Sequence, residues 1–213
     1  MRNKTKVLVL GANGRIARLT VTMLAEASDV ELTLFARDTS RLPQPPAGAK
    51  VVEGDVRDRE RLAEAVRGQD IVYANLAADI DVLAERVVEA MTHEGVSRLI
   101  FVASLGIHDE VPGAFGRWNE EQIGETLRPY RAAAATVQAS SLSFTILRPA
   151  WLTDADEVDY ELTQRDEPFK GTEVSRKSVA ALIVEIVHAP DRWIGASLGI
   201  DKPGTDGDRP AFV

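Results

Sequence analysis

The run Lys6-Val7-Leu8-Val9-Leu10-Gly11-Ala12-Asn13-Gly14-Arg15-Ile16-Ala17 constrains this chain more than any other. A short, β-branched apolar strand meets a glycine turn, and a helical period begins at once. Ile16, Leu19, Met23, Leu24 and Ala27 then fall on one face at the spacing of an amphipathic helix. A strand that enters a helix through glycine leaves backbone N–H groups free at the helix start, where the helix dipole favours an anion such as a phosphate. Gly11 allows a sharp turn off the strand. Gly14 lets a diphosphate approach the main chain, and the small Ala17 lets the helix lie close to the sheet. The spacing is Gly-x-x-Gly-x-x-Ala, a variant of the usual dinucleotide fingerprint Gly-x-Gly-x-x-Gly. A tight βα turn of any α/β protein is the alternative reading.

Further apolar runs repeat the pattern. Strands are expected at Glu31–Ala36, Lys50–Gly54, Asp70–Ala74, Arg98–Ala103, Leu142–Leu147, Val158–Thr163 and Ala196–Ile200. Helices are expected near Asp58–Arg67, from Ile80 through Met91, and through Val179–Val187 with Ser175 as cap and Pro190 as stop. Runs apolar on both faces belong to a doubly wound parallel sheet covered by helices on each side, a Rossmann-type α/β fold. Ligands of such sheets sit beyond the carboxyl ends of the strands, which places Gly11, Arg37, Asp55, Asn75 and Ser104 on one rim. At the end of the second strand an acidic residue suits a ribose 2′-OH and an arginine a 2′-phosphate. Arg37 comes first there, with Arg15 and Arg41 nearby, so NADP is expected over NAD. Asp38, turned inward, would reverse that preference.

Composition sets the outer bounds. The 213 residues are read as one NAD(P)-binding domain, with about 153–171 and 189–213 as substrate-side or tail elements. The hydrophobic share of 45% excludes a disordered chain. Without cysteine there is no disulfide or thiolate metal site, in agreement with a cytoplasmic protein. His93, His108 and His188 lack metal-ligand spacing. A net charge of −8 argues against nucleic acid as a partner. No apolar run has the length of a membrane span, and Met1 to Lys4 are read as leading directly into a strand rather than as a signal peptide.

The segments Gly11–Ala17, Gly54-Asp55-Val56, Phe101-Val102-Ala103-Ser104, Thr145-Ile146-Leu147-Arg148-Pro149-Ala150 and Val174–Ala180 together resemble the atypical short-chain dehydrogenase/reductases. Among these they are most similar to the NmrA-like, NAD(P)-binding set. The resemblance implies that Gly11, Asn13, Gly14, Arg15 and Ile16 hold the diphosphate and Arg37 the 2′-phosphate. It further implies that Asp55 and Val56 meet the adenine, that Asn75, Leu76, Ser104 and Pro149 flank the nicotinamide half, and that the region from Thr153 to Phe169 builds a small substrate-side lobe.

One departure bears on activity. Family enzymes pair a catalytic tyrosine with a lysine four residues on, which lowers the phenol pKa. Here Tyr73, Tyr130 and Tyr160 are followed by Ala77, Ala134 and Gln164, and no lysine lies between Lys50 and Lys170. Ser104 and, by its place in the chain, Tyr130 stay as catalytic candidates. A loop is expected from Leu105 to Trp118, with a helix starting at Asn119 and broken or restarted at Pro129. His108 in that loop is read either as a proton donor or as a surface histidine, and Trp118 either as a cover for an aromatic substrate or as loop packing. The expected activity is hydride transfer from NADPH to a conjugated small molecule, a quinone, flavin or similar acceptor whose reduced anion takes its proton from water. A non-catalytic NADP(H)-binding sensor is the alternative, and sugar-nucleotide epimerisation a third reading. Monomer and homodimer both stay open.

Overall fold

A computed structural model describes residues 4–213; the reading of Met1 to Asn3 lies outside the described residues. Strand β1 (Thr5–Leu10) enters helix α1 (Arg15–Ala25), followed by β2 (Val30–Ala36), β3 (Lys50–Glu53), α2 (Arg59–Val66), β4 (Ile71–Ala74), α3 (Ile80–Glu94), β5 (Arg98–Val102), α4 (Gly113–Ala139) and β6 (Ser143–Pro149). The chain ends with β7 (Trp151–Thr153), β8 (Glu161–Thr163), β9 (Glu173–Ser175), α5 (Arg176–His188) and β10 (Ala196–Asp201). Eight strands form one sheet in the order β3-β2-β1-β4-β5-β6-β10-β8, and β7 pairs with β9 in a separate parallel pair. All neighbours in the large sheet run parallel except β8, which closes one edge antiparallel to β10.

The alternation of side chains along β1 explains why both sheet faces are covered. Val7 and Val9 pack with Ile16, Leu24, Leu182 and Ile186 beneath α1 and α5. Leu8 and Leu10 pack with Leu62, Leu83, Met91 and Val137 beneath α2, α3 and α4. Every side chain of β1 from Val7 to Leu10 is therefore withdrawn from water, as its unbroken apolar sequence implies. The caps also follow from sequence. Asp58 accepts from the amide of Arg61 at the start of α2, and Ser175 from that of Ser178 at the start of α5.

Four expectations change. The loop after β5 ends at Pro112, and α4 begins at Gly113, six residues before Asn119. Asn119 does not cap a helix; it is buried, one turn after buried Phe115, and its Oδ1 accepts from Trp151 Nε1 at 2.9 Å. Pro129 does not interrupt α4. Proline deprives the carbonyl four residues earlier of its partner, and that residue, Glu125, is on the exposed side, where solvent can satisfy the carbonyl. The strand expected over Val158–Thr163 contracts to Glu161–Thr163. The carboxyl-terminal stretch, read as a tail, is tied to the fold. Thr172 bonds Thr205 through both its amide and its hydroxyl, and the Ala211 amide donates to Glu173.

Candidate functional site

The order β3-β2-β1-β4 reverses direction of winding between β1 and β4, and a cleft of about 440 Å³ opens beyond their carboxyl ends. One wall is the glycine corner. Gly11 has φ +77°, and a Cβ there would lie 2.2 Å from the Asn75 carbonyl oxygen. A Cβ on Gly14 would lie 1.9 Å from Asn75 Nδ2. The corner is thus built for bare backbone on two counts, conformation and space. No side chain caps α1, and no acidic residue stands in its first turn, so its leading amides are left to an external anion.

The opposite wall carries cations. Arg37 and Arg41 line the cleft, and among the described residues neither forms an ion pair. Asp38 lines it as well, but its Oδ1 accepts from the amide and hydroxyl of Ser40 and caps the following turn. Its backbone carbonyl accepts from Asn13 Nδ2 at 2.7 Å. That bond orients the amide so that the buried Asn13 Oδ1 has no partner among the described residues, an acceptor left for a ribose hydroxyl. The floor is apolar, from Phe35, Val56 and Leu83. Asp55 accepts from the Arg57 amide at 2.9 Å, and the Arg57 side chain forms ion pairs with Asp55 and Asp79. Ala78 and Asp79 hold positive φ beside this wall, strained backbone of the kind found at ligand clamps.

The expected residues therefore divide. Gly11, Asn13, Gly14, Arg37, Asp55, Val56, Asn75 and Leu76 meet in one cleft. The side chain of Ile16 is buried in the core, which leaves its amide for a ligand. Arg15 leaves the corner for an ion pair with Asp154. Ser104 and Pro149 do not line the cleft: Ser104 lies two residues past β5 and Pro149 ends the adjacent β6, and the Leu105 amide donates to the Pro149 carbonyl at 3.3 Å. Phe35, Gly54, Arg57 and Leu83 also line the cleft. Their signal was present in the strand ends and helical period, but a position on a strand end does not say which way a side chain turns.

His108 is elsewhere. Its Nε2 meets Ser197 Oγ of β10 at 3.0 Å, in a groove walled by Asp109, Glu110 and the stretch 165–168, none of which lines the cleft. Burial and the Arg148 guanidinium push its pKa down, so it is neutral at pH 7. Beneath it lies the buried pair of Arg148 and Glu110. Burial alone would raise the Glu110 carboxyl, but Arg148 and two backbone amides outweigh it and hold it ionised.

The tyrosines offer no activated phenol. Tyr73 is fully buried, and burial raises its pKa. Tyr130 is half-buried on α4 against the core beneath α2–α4, and burial raises it too. Tyr160 is pushed up to about 12 by burial and by the Glu185 carboxylate that accepts from its hydroxyl. Trp118 packs between Phe115 and Trp151, with ring centroids 6.2 Å and 4.7 Å away, an aromatic cluster just past the end of β6.

A sheet of this order with a side-chain-free corner at its switch point defines a Rossmann-type, nucleotide-binding protein. The chain belongs to the NAD(P)H-binding family, whose model matches residues 11–190. It is similar to a Rossmann-fold NAD(P)-binding family protein of Shigella flexneri, at 49% identity and TM-score 0.86 over 99% of this chain and 100% of that one. It is also similar to a short-chain dehydrogenase/reductase of Veillonella parvula solved in complex with NADP, at 29% identity and TM-score 0.92 over 98% and 99%. Among curated relatives it is 27% identical to an uncharacterized sugar epimerase of Bacillus subtilis, over 82% of this chain and 79% of that one. It is 32% identical to a (4-alkanoyl-5-oxo-2,5-dihydrofuran-3-yl)methyl phosphate reductase of Streptomyces griseus, over 67% of this chain but only 46% of the reductase. Among the described residues no helix is long and apolar enough to cross a membrane.

Proposed function

We propose that the protein is an NADPH-dependent reductase of a small conjugated acceptor, a quinone, flavin or related system, working without a tyrosine–lysine pair. The observation that carries this reading is the cleft itself, where a bare glycine corner faces Arg37 and Arg41, both without a carboxylate partner among the described residues. A diphosphate fits the corner and a 2′-phosphate the two guanidinium groups. The NADP complex of the Veillonella relative supports the cofactor, and the name of the Streptomyces relative supports reduction of a conjugated ring.

The bound nicotinamide supplies a hydride, and the chain's own residues bind and orient. The α1 amides and Asn13 fix the diphosphate and ribose, Val56 and Leu83 receive the adenine, and Ser104 donates a hydrogen bond to the acceptor or to the carboxamide. With all three phenols held protonated and no lysine beside them, the acceptor is one whose reduced anion is delocalised and takes its proton from water. The aromatic cluster of Trp118 and Trp151 suits a planar substrate.

A panel of quinones, flavins and azo compounds, followed by the loss of NADPH absorbance, tests the reading. Turnover with at least one acceptor, faster with NADPH than with NADH, is expected. NADPH that binds and is never oxidised would favour the sensor instead.

A further inference from the structure

Asp154 stands immediately after β7 and is held between two arginines from different helices. One is Arg15, the first residue of α1, directly after Gly14. The other is Arg176, the first residue of α5, whose Nη1 lies 2.8 Å from Asp154 Oδ1 and also bonds the Leu152 carbonyl at 3.3 Å. Helices α1 and α5 cover the same sheet face side by side, and both start on the rim that holds the cleft. The two arms differ. The Arg176 side chain is 16% exposed and doubly bonded, a fixed anchor, whereas that of Arg15 is 63% exposed with Asp154 as its partner.

We propose that Asp154 is a built-in competitor for the cofactor: its carboxylate occupies Arg15 until the dinucleotide diphosphate arrives and takes the guanidinium over. This rests on the reading of the glycine corner as a diphosphate site. An anion on the α1 amides lies beside the backbone of Arg15, close enough to capture its side chain. On release, Asp154 keeps Arg176, so no carboxylate is stranded. Each binding event exchanges one ion pair for another, and affinity is set below what the corner alone would give.

Fluorescence titration of the full chain with NADPH, at low and high salt, tests this. Asp154→Asn is expected to tighten binding about two- to fivefold at low salt, the span of an exposed ion pair, with the gain shrinking at high salt. In an Arg15→Ala background the same substitution is expected to change nothing. Asp156→Asn removes an equal charge two residues on, from an exposed pair with Lys177, and is expected to leave affinity unaltered. Unchanged or weaker binding by Asp154→Asn, persistence of the gain without Arg15, or an equal gain from Asp156→Asn would each overturn the proposal in favour of a structural tie or bulk repulsion. A wild-type chain that binds no NADPH would instead remove the diphosphate site itself.

Discussion

Arg37 is a single exposed side chain with a large assigned role. A charge-assisted hydrogen bond is worth about 1.5–3 kcal/mol, so Arg37→Ala should weaken NADPH roughly ten- to a hundredfold and NADH hardly at all. Parallel titrations with the two cofactors check it; an equal loss for both would assign Arg37 to the fold rather than to the 2′-phosphate. Asp201 sets a pH dependence of another kind. It is fully buried at the end of β10, accepts from the Gly171 amide at 2.7 Å, and has its pKa raised to about 6, chiefly by burial. The native chain then binds more protons than the unfolded one between about pH 4 and pH 6, so stability falls as pH rises through that window, by about 3 kcal/mol at most. Asp201→Asn keeps an acceptor for Gly171 and cannot ionise. Its melting temperature should gain on the wild type as pH rises from about 4 to 7, and a pH-independent gap would refute the assignment. Nothing in the sequence marks Asp201 as buried, whereas the meeting of Gly11, Gly14 and Arg37 in one cleft was legible because position at a strand end follows from backbone direction. The groove that holds His108 was hidden for the converse reason. Its loop leaves the right strand, but the Glu110–Arg148 pair draws it beneath β10.

Elements were legible where the hydrophobic period is long. The runs that became β1, β2, α3 and α5 have unbroken patterns, and their bounds follow. Helix α4 hid its first turn because Gly113 and Gly116 are poor helix formers, and the burial of Phe115 and Asn119 on a common face makes the turn worthwhile. Tertiary packing overrides local preference there. The cost is still present at Pro129. Pro129→Ala restores the amide donor to the Glu125 carbonyl and should stabilise the chain by about 1 kcal/mol or more, roughly 2–4 °C in melting temperature. A lower melting temperature would show that the ring, half-buried on α4, contributes packing that alanine lacks. The short strands β7, β8 and β9 were harder to read. Three residues carry too little periodicity, and their acidic surroundings resemble a loop.

Across the molecule, the charge distribution opposes the total. The net charge is −8, yet Arg37 and Arg41 line the cleft outside any ion pair among the described residues, while Asp55 there is paired with Arg57 and Asp38 caps a turn, so a polyanion meets a local field unlike the average one. The half of the rim around the glycine corner was legible because it is made of strand ends and glycine. The half beyond Ser104 and Pro149 was not, since it depends on how β7–β9 and the start of α4 fold over it. The outermost strands have a separate consequence. One margin of the sheet is β3, four residues long, and the other is β8, three residues long and reversed in direction. An intruding segment would find only a few free amides and carbonyls to match, too little to seed fibrous stacking. A protein with so many apolar strands can therefore stay dispersed at high concentration by having brief borders, without a dedicated cover for either flank.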